Sequence, residues 1–247
     1  MTTGLDENPG PESVVLMDLA ALRNLTWENF DRDMTTAEFR HIFETCDALW
    51  LHSGDPEAPH AELTNGDCSN GFIDTLRVLR YSNLCEIMAQ QLVRKLRKEY
   101  EGKVDWVIGS DHAGATLSFA VAAKLMAQHD FTEKGEGKTQ VWKRFAIEPE
   151  EIVLQVEELI TTTGTLRAVR EGIRLGTIQN HPHPVSFAPL SLVLVHRSNI
   201  FEFEGEPIIY MEHYDIQSWT PEECPLCARG SRRLRPKKNW AILTGKA

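Results

Sequence analysis

No stretch of this 247-residue chain approaches the roughly 18 consecutive apolar residues that a membrane-spanning helix requires. The amino-terminal MTTGLDENPGPES lacks the basic-then-apolar pattern of a secretory signal. Together these absences lead us to expect a cytoplasmic protein with no membrane partner, whose residues 1–14 form a flexible tail. Positive charge is scarce. Lys and Arg number 26 against 36 Asp and Glu, a net charge of −10 that argues against general nucleic-acid binding. Basic residues do concentrate between Lys134 and Arg144 and between Arg229 and Lys238, so a local patch can still meet an anionic substrate. Cysteine is sparse and odd in number: Cys46, Cys68, Cys85, Cys224 and Cys227 read as reduced thiols rather than a disulfide framework. A second CxxC is missing. The Cys224–Cys227 pair has zinc-knuckle spacing but lacks two further ligands, with His213 the nearest candidate along the chain. The reading is therefore a turn with two buried thiols and no assigned metal, and a site completed across a dimer stays open. No internal repeat or low-complexity tract interrupts the chain.

What is present is an ordinary globular composition, 42% hydrophobic and 25% charged, long enough for one sizeable core or a core with an added subdomain. Within it, residues 151–165, EIVLQVEELITTTGT, combine three things. Ile152, Val153, Leu154 and Val156 form the apolar, β-branched run of a buried parallel strand. Glu157 and Glu158 stand at its carboxyl end. Thr161, Thr162, Thr163, Gly164 and Thr165 then offer hydroxyls and a permissive backbone where a helix over 166–175 begins, a place where free N–H groups and the helix dipole favour an anion. The pattern suits a phosphate beside a polyol, although a capped helix after an acidic strand end has the same outline.

The surrounding elements point to an α/β fold. Apolar spacing predicts helices over 16–27 and 36–51, the second capped by Thr35 or Thr36, and an amphipathic helix over 81–100 opening at Ser82-Asn83. Strands and helices then alternate: strand 105–109, helix 113–128, strands 139–145 and 152–156, helix 166–175, strand 190–195. A further short strand follows at 207–211. Such alternation implies right-handed βαβ units in a parallel sheet, and ligands of such sheets bind beyond the carboxyl ends of the strands. The loops GSDHAGA and EELITTTGT both fall there.

VEELITTTGT resembles the phosphoribosyl pyrophosphate (PRPP) signature of type I phosphoribosyltransferases. More of the chain is similar to the orotate phosphoribosyltransferases of that family, in order: HAELTNGDCSNGFID (60–74), VDWVIGSDHAGATLSFAVAAKL (104–125), FTEKGEGKTQVWKRFAIEPEEIVLQVEE (131–158) and PEECPLCARGSRRLRPKKNW (221–240). The resemblance implies a mainly parallel, Rossmann-like sheet flanked by helices, with a hood made by the N- and C-terminal segments. On it we divide the chain into a tail (1–14), N-terminal helices and hood segment (15–75), a PRPP-binding core (76–200) and a C-terminal hood or tail (201–247).

It also implies roles. PRPP and a base, with orotate first among the bases, would give a nucleoside monophosphate and pyrophosphate, with Mg2+ bound alongside PRPP and a homodimer as the working form. Glu157 and Glu158 would hold the ribose hydroxyls. Thr161, Thr162, Thr163, Gly164 and Thr165 would hold the 5′-phosphate, and Ser110, Asp111, His112, Ala113 and Gly114 would approach the pyrophosphate. Asp111 would either point away or meet magnesium through water. Lys143 and Arg144 are the favoured cations of a closing hairpin that also carries Lys134 and Lys138. Thr64, Gly66, Ser69, Phe72 and Arg167 would contact the base. Three positions depart from the usual pattern: Glu158 for Asp, Thr163 for Gly, and Cys68 where a Lys or His is common. Catalysis on orotate, a different base, and a PRPP- or nucleotide-binding regulator without catalysis are the readings these departures leave open.

Overall fold

The computed structural model describes residues 10–180 and 183–246; residues 1–9 of the expected tail lie outside them, while Pro11–Val14 form a helical turn that buries Val14. After a single turn, Leu19–Leu22, capped by Asp18, helix α1 spans Thr36–Thr45. Its capping box joins Thr35 and Glu38, and Arg32 pairs with the buried Glu38 carboxylate at 2.6 Å. The helix stops short of the expected residue 51 because Asp47 takes a left-handed backbone, φ 56°. The chain then continues as strand β1 (Leu49–Leu51). Three further short strands follow: β2 (His60–Glu62), β3 (Cys68–Ser69) and β4 (Gly71–Ile73), the last antiparallel to β1.

Helix α2 (Ser82–Glu99) buries Leu84, Ile87, Met88, Leu92 and Leu96 on one face, as its periodicity predicts. Asn83 does not cap it. Its amide donates instead to the carbonyls of Leu22 and Leu25, tying the N-terminal segment to this helix. Next come β5 (Trp106–Gly109), helix α3 (Ala113–Leu125) and β6 (Gln128–Phe131). The expected helix over 113–128 ends early because Met126 turns left-handed, φ 55°. The strand β6 that follows reads QHDF. It lies at the sheet edge, so no apolar run marks it.

Where a strand over 139–145 is expected, only Gln140–Val141 (β8) is extended, in a two-stranded hairpin with β7 (Glu133–Lys134). The apolar signal arose from Trp142, which is buried edge-on against Trp106 with ring centres 5.8 Å apart. The long strand β9 (Ile152–Ile160) leads into α4 (Gly164–Asn180), then β10 (Ser186–His196), β11 (Glu202–Phe203) and β12 (Glu206–His213).

The central sheet runs β11-β12-β10-β9-β5-β6, parallel throughout except at β11. Alternate residues serve its two faces. Val107, Leu154, Val156, Leu192 and Leu194 pack with α2 and α3, whereas Trp106, Ile108 and Val153 pack with Val169 and Ile173 of α4. A sheet covered on both sides needs apolar residues at nearly every position, hence the unbroken runs. The strand at 206–213, expected within the C-terminal hood or tail, pairs in parallel with β10 in the central sheet, and the hood strands follow it. There β13 (Ser218–Trp219) and β14 (Arg233–Leu234) join β3 and β2 in a sheet ordered β13-β3-β2-β14, closed by helix α5 (Pro236–Thr244). Among the described residues no helix is long and apolar enough to cross a membrane.

Candidate active site

The carboxyl ends of β5 and β9 meet the first turns of α3 and α4, and the proposed PRPP residues gather there. A side chain at Gly109 would lie 2.5 Å from the Gly114 carbonyl and 2.9 Å from that of Val156, so only glycine lets α3 start so close to the sheet. Gly114 in turn leaves room for carboxylates. A Cβ there would come within 3.2 Å of Glu157 Oε2 and 3.4 Å of Glu158 Oε2.

Glu157 is buried and accepts a 2.6 Å hydrogen bond from Ser110 Oγ. Its other oxygen, Oε1, and Glu158 Oε2 are buried without a hydrogen-bond partner among the described residues. Unpartnered buried oxygens carry a desolvation cost that hydroxyl donors from a ligand would relieve. Burial first, then the charge of Glu158, pushes the Glu157 carboxyl well up; burial and Asp111 do the same to Glu158. Without a ligand the two carboxyls therefore hold protons in a pH range where surface glutamates are ionised.

Between β5 and α3, His112 has φ 61° and ψ −108°, a conformation costly for a residue with a side chain. Thr163 carries no such strain. Among the described residues, the non-glycine positions with positive φ are Asp47, His112, Met126 and Glu204, and Thr163 is not one of them. Its carbonyl accepts from Arg167 N–H at 2.9 Å, and Thr162 Oγ1 accepts from Gly164 N–H at 3.3 Å. Threonine therefore fits this loop in place of glycine.

Two cavities share Thr162. One, of about 390 Å³, lies under the β7–β8 hairpin, lined by Lys134, Lys138, Thr139, Thr162, Gly164 and Thr165. The other, of about 450 Å³, lies under the hood, lined by Leu63, Asn65, Asp67, Thr161, Thr162, Arg197, Ile216 and Ser218. Asp111 faces the hairpin. Gln140 Nε2 donates to it at 3.1 Å and Lys134 Nζ lies 3.2 Å away. Burial alone would raise the Asp111 carboxyl, but these two donors outweigh it and the group titrates below its ordinary value.

Other expected residues lie elsewhere. Lys143 pairs with Glu133 at 3.0 Å, and Arg144 pairs with Glu133 and with Asp130 at 3.1 Å, on the hairpin's outer base. Lys134 and Lys138 are the cations that line the cavity. Arg167 lays its guanidinium over the Phe203 ring, 5.5 Å from the centroid, and with Glu171 lines a cleft that adjoins the hairpin cavity and shares Lys138, Thr139, Gln140, Gly164 and Ala168 with it. Phe72 packs edge-on against Trp240 inside the hood, and Ser69 is buried with its hydroxyl donating to the Gln217 carbonyl. Gly66, φ 93°, makes the turn between Asn65 and Asp67, and Thr64 is exposed beside it. The hood's contribution to the cavity is thus Leu63, Asn65 and Asp67 from one segment and Ile216 and Ser218 from the other.

Sequence reasoning missed Arg197. It directly follows β10, its N–H bonds the Ile160 carbonyl at 3.0 Å, and its Nε is buried with no partner among the described residues. The signal was available, since it too follows the carboxyl end of a strand in the parallel sheet.

No protein-family model matches the chain. A solved structure, the orotate phosphoribosyltransferase from Aeropyrum pernix, superposes with a TM-score of 0.51 at 19% identity, covering 70% of this chain and 91% of that one. The fold is thus that of the type I phosphoribosyltransferases. Among curated proteins, the orotate phosphoribosyltransferase of Heliobacterium modesticaldum is 32% identical over 177 residues, 72% of this chain and 88% of that protein. That of Pelotomaculum thermopropionicum is 30% identical over 191 residues, 76% and 94%. The chain belongs to the orotate phosphoribosyltransferase family.

Proposed function

We propose that the protein transfers the phosphoribosyl group of PRPP to orotate, giving the nucleoside 5′-monophosphate and pyrophosphate. The observation that carries this reading is the pair of buried, unpartnered oxygens, Glu157 Oε1 and Glu158 Oε2, between a threonine loop and a basic hairpin. Breaking the bond from ribose to pyrophosphate builds positive charge on the sugar and negative charge on the leaving group. The carboxylates accept the ribose hydroxyls and favour the cationic sugar. Residues 161–165, at the start of the long helix α4, anchor the unreacting 5′-phosphate. Lys134 and Lys138 meet the pyrophosphate, and Arg197 meets the anionic base at the hood.

Magnesium fits as a companion of PRPP, since it neutralises pyrophosphate charge when bound. The donors here are few: beyond the two glutamates, Asp111 is the nearest carboxylate, and it is already bonded to Gln140 and Lys134. The phosphates themselves would therefore supply most of its ligands. A cytoplasmic homodimer completes the proposal. Its support is a groove of about 600 Å³ beside α3 in which Phe119 stands exposed, a natural place for subunit burial.

The test is pyrophosphate release from PRPP and Mg2+ with a panel of bases. Release with orotate is the expected result; release only with another base would reassign the substrate. PRPP binding without release for any base would mark a regulator and overturn the reading.

A further inference from the structure

The hood contains a second cluster of chemistry-bearing side chains, away from the PRPP residues. His60 from β2, Cys68 from β3, and Cys224 and Cys227 from the segment around the helical turn Pro225–Ala228 bring four ligand atoms within 4.8 Å of one another. His213, the nearest candidate along the sequence, is not among them; its Nε2 lies 3.1 Å from the Ser198 carbonyl. We propose that His60, Cys68, Cys224 and Cys227 bind one structural zinc ion.

The geometry supports this. The Sγ atoms of Cys68 and Cys227 are 3.5 Å apart, and His60 Nε2 lies 3.7 Å from Cys224 Sγ and 3.4 Å from Cys227 Sγ. A tetrahedral zinc with ordinary bond lengths spaces two sulfurs by about 3.8 Å, and a sulfur and a nitrogen by about 3.6 Å. Three of the cluster's six edges are already close to these lengths, and the other three lie within 4.8 Å. Three thiols and one imidazole in a closed, buried tetrahedron are the donor set that selects zinc in a structural role.

The histidine is oriented for it. Ser231 Oγ donates its proton to the Ala58 carbonyl at 2.7 Å, so toward His60 Nδ1, 2.8 Å away, that oxygen can only accept. Nδ1 therefore carries the ring proton, and the lone pair of Nε2 points at the sulfurs. This outer hydrogen bond fixes a metal-binding tautomer, as in most zinc sites with histidine. On the cysteine side, the Cys227 amide donates to Cys224 Sγ at 3.4 Å, which fixes the position of that sulfur.

The hood also needs such a tie. Strands β2, β3, β13 and β14 are two or three residues long and come from opposite ends of the chain. So small a layer has little apolar area to hold itself together, and a metal substitutes for a core. Cys68 directly follows Asp67 of the base cavity. The ion would hold that cavity wall to the C-terminal segment, and Cys68, a departure from the family's usual residue, acquires a purpose.

The test uses the full-length protein purified under reducing conditions without a metal-chelating column. Elemental analysis should find one zinc and no iron per chain, and cobalt exchange should give tetrahedral d–d bands with thiolate charge transfer. Cys224→Ser and Cys227→Ser should lose the metal while Cys85→Ser keeps it. Ser231→Ala should weaken zinc binding about 10- to 100-fold. If the serine variants do not fold, His60→Cys decides: it should keep zinc as a four-thiolate site and shift the cobalt bands. Reduced wild-type protein that takes up neither zinc nor cobalt would overturn the proposal, as would zinc retained by the folded serine variants or a Cys68–Cys227 disulfide that persists in active protein purified under reducing conditions.

Discussion

Ser110 Oγ donates a 2.6 Å hydrogen bond to Glu157 Oε2, joining the end of β5 to the carboxylate that β9 carries into the site. The bond fixes one oxygen of Glu157 and leaves the other to face a ligand. Removing the donor should disturb both positioning and stability. Ser110→Ala is expected to lower kcat/KM for PRPP about 10- to 100-fold, equivalent to losing a hydrogen bond to a charged group, and to lower the melting temperature by several degrees, since it leaves a second Glu157 oxygen buried without a donor at roughly 2–4 °C per kcal/mol. Steady-state kinetics beside calorimetry checks this.

The buried carboxyl pair makes the ligand-free protein pH-sensitive. Both groups titrate above their unfolded values, so in the range between the two the native state binds more protons than the unfolded state. Their contribution is complete below the ordinary glutamate pKa and is lost as pH rises toward the native values near neutrality. Glu157→Gln should flatten this decline and be more stable than the wild type at pH 8, by a few degrees at roughly 2–4 °C per kcal/mol. It should also lose about 100-fold in kcat. A wild-type melting temperature that does not fall between pH 5 and pH 8 would contradict the assignment.

Arg197 and Arg167 are the two arginines proposed to meet the base. Arg197→Ala should raise KM for orotate about 10- to 100-fold, the cost of one charge-assisted hydrogen bond, and leave KM for PRPP nearly unchanged. Arg167→Ala should have the smaller effect on orotate. The reverse order would place the base in the cleft beside Phe203.

The hairpin rests on glycines of α4. A Cβ at Gly172 would lie 2.4 Å from the Gln140 carbonyl, and one at Gly176 2.4 Å from that of Trp142. Gly172→Ala should thus lift β8 from the helix while the sheet stays folded. Limited proteolysis should cut faster within 134–142, and KM for PRPP should rise as Lys134 and Lys138 lose their placement.

Arg170 is buried, with Glu206 at 2.6 Å, Glu204 at 3.0 Å, and Gln155 and Ser191 within hydrogen-bond reach. It ties α4 to β9, β10 and the β11–β12 turn. Arg170→Met should cost about 2–4 kcal/mol, less than for a fully buried pair because both glutamates keep some solvent. Urea unfolding measures it.

Much of this architecture was legible because parallel strands covered on both faces leave unbroken apolar runs, as at 152–156, and because a phosphate loop needs Thr and Gly where a helix begins. Strand β6 was not legible, since an edge strand tolerates QHDF. Trp142 misled, because a buried aromatic in a hairpin looks locally like a strand. The carboxylates and threonine loop proposed for the sugar phosphate form one continuous segment, 157–165, which the sequence shows directly. The cavity under the hood has no such segment: Asn65 and Asp67, Arg197, and Ser218 lie far apart in sequence, and only the return of the chain after β12 brings them together. The same holds for the four metal ligands.

That return has a consequence for assembly of the molecule. His60 and Ser231, partners in the hood, are separated by 171 residues, whereas β9, α4 and β10 of the floor are near neighbours along the chain. Contacts that close so long a loop form late, after local ones have shortened the path. The central sheet around β9, α4 and β10 can be finished while the carboxyl terminus is still being made, and the hood is the last part of the protein to close.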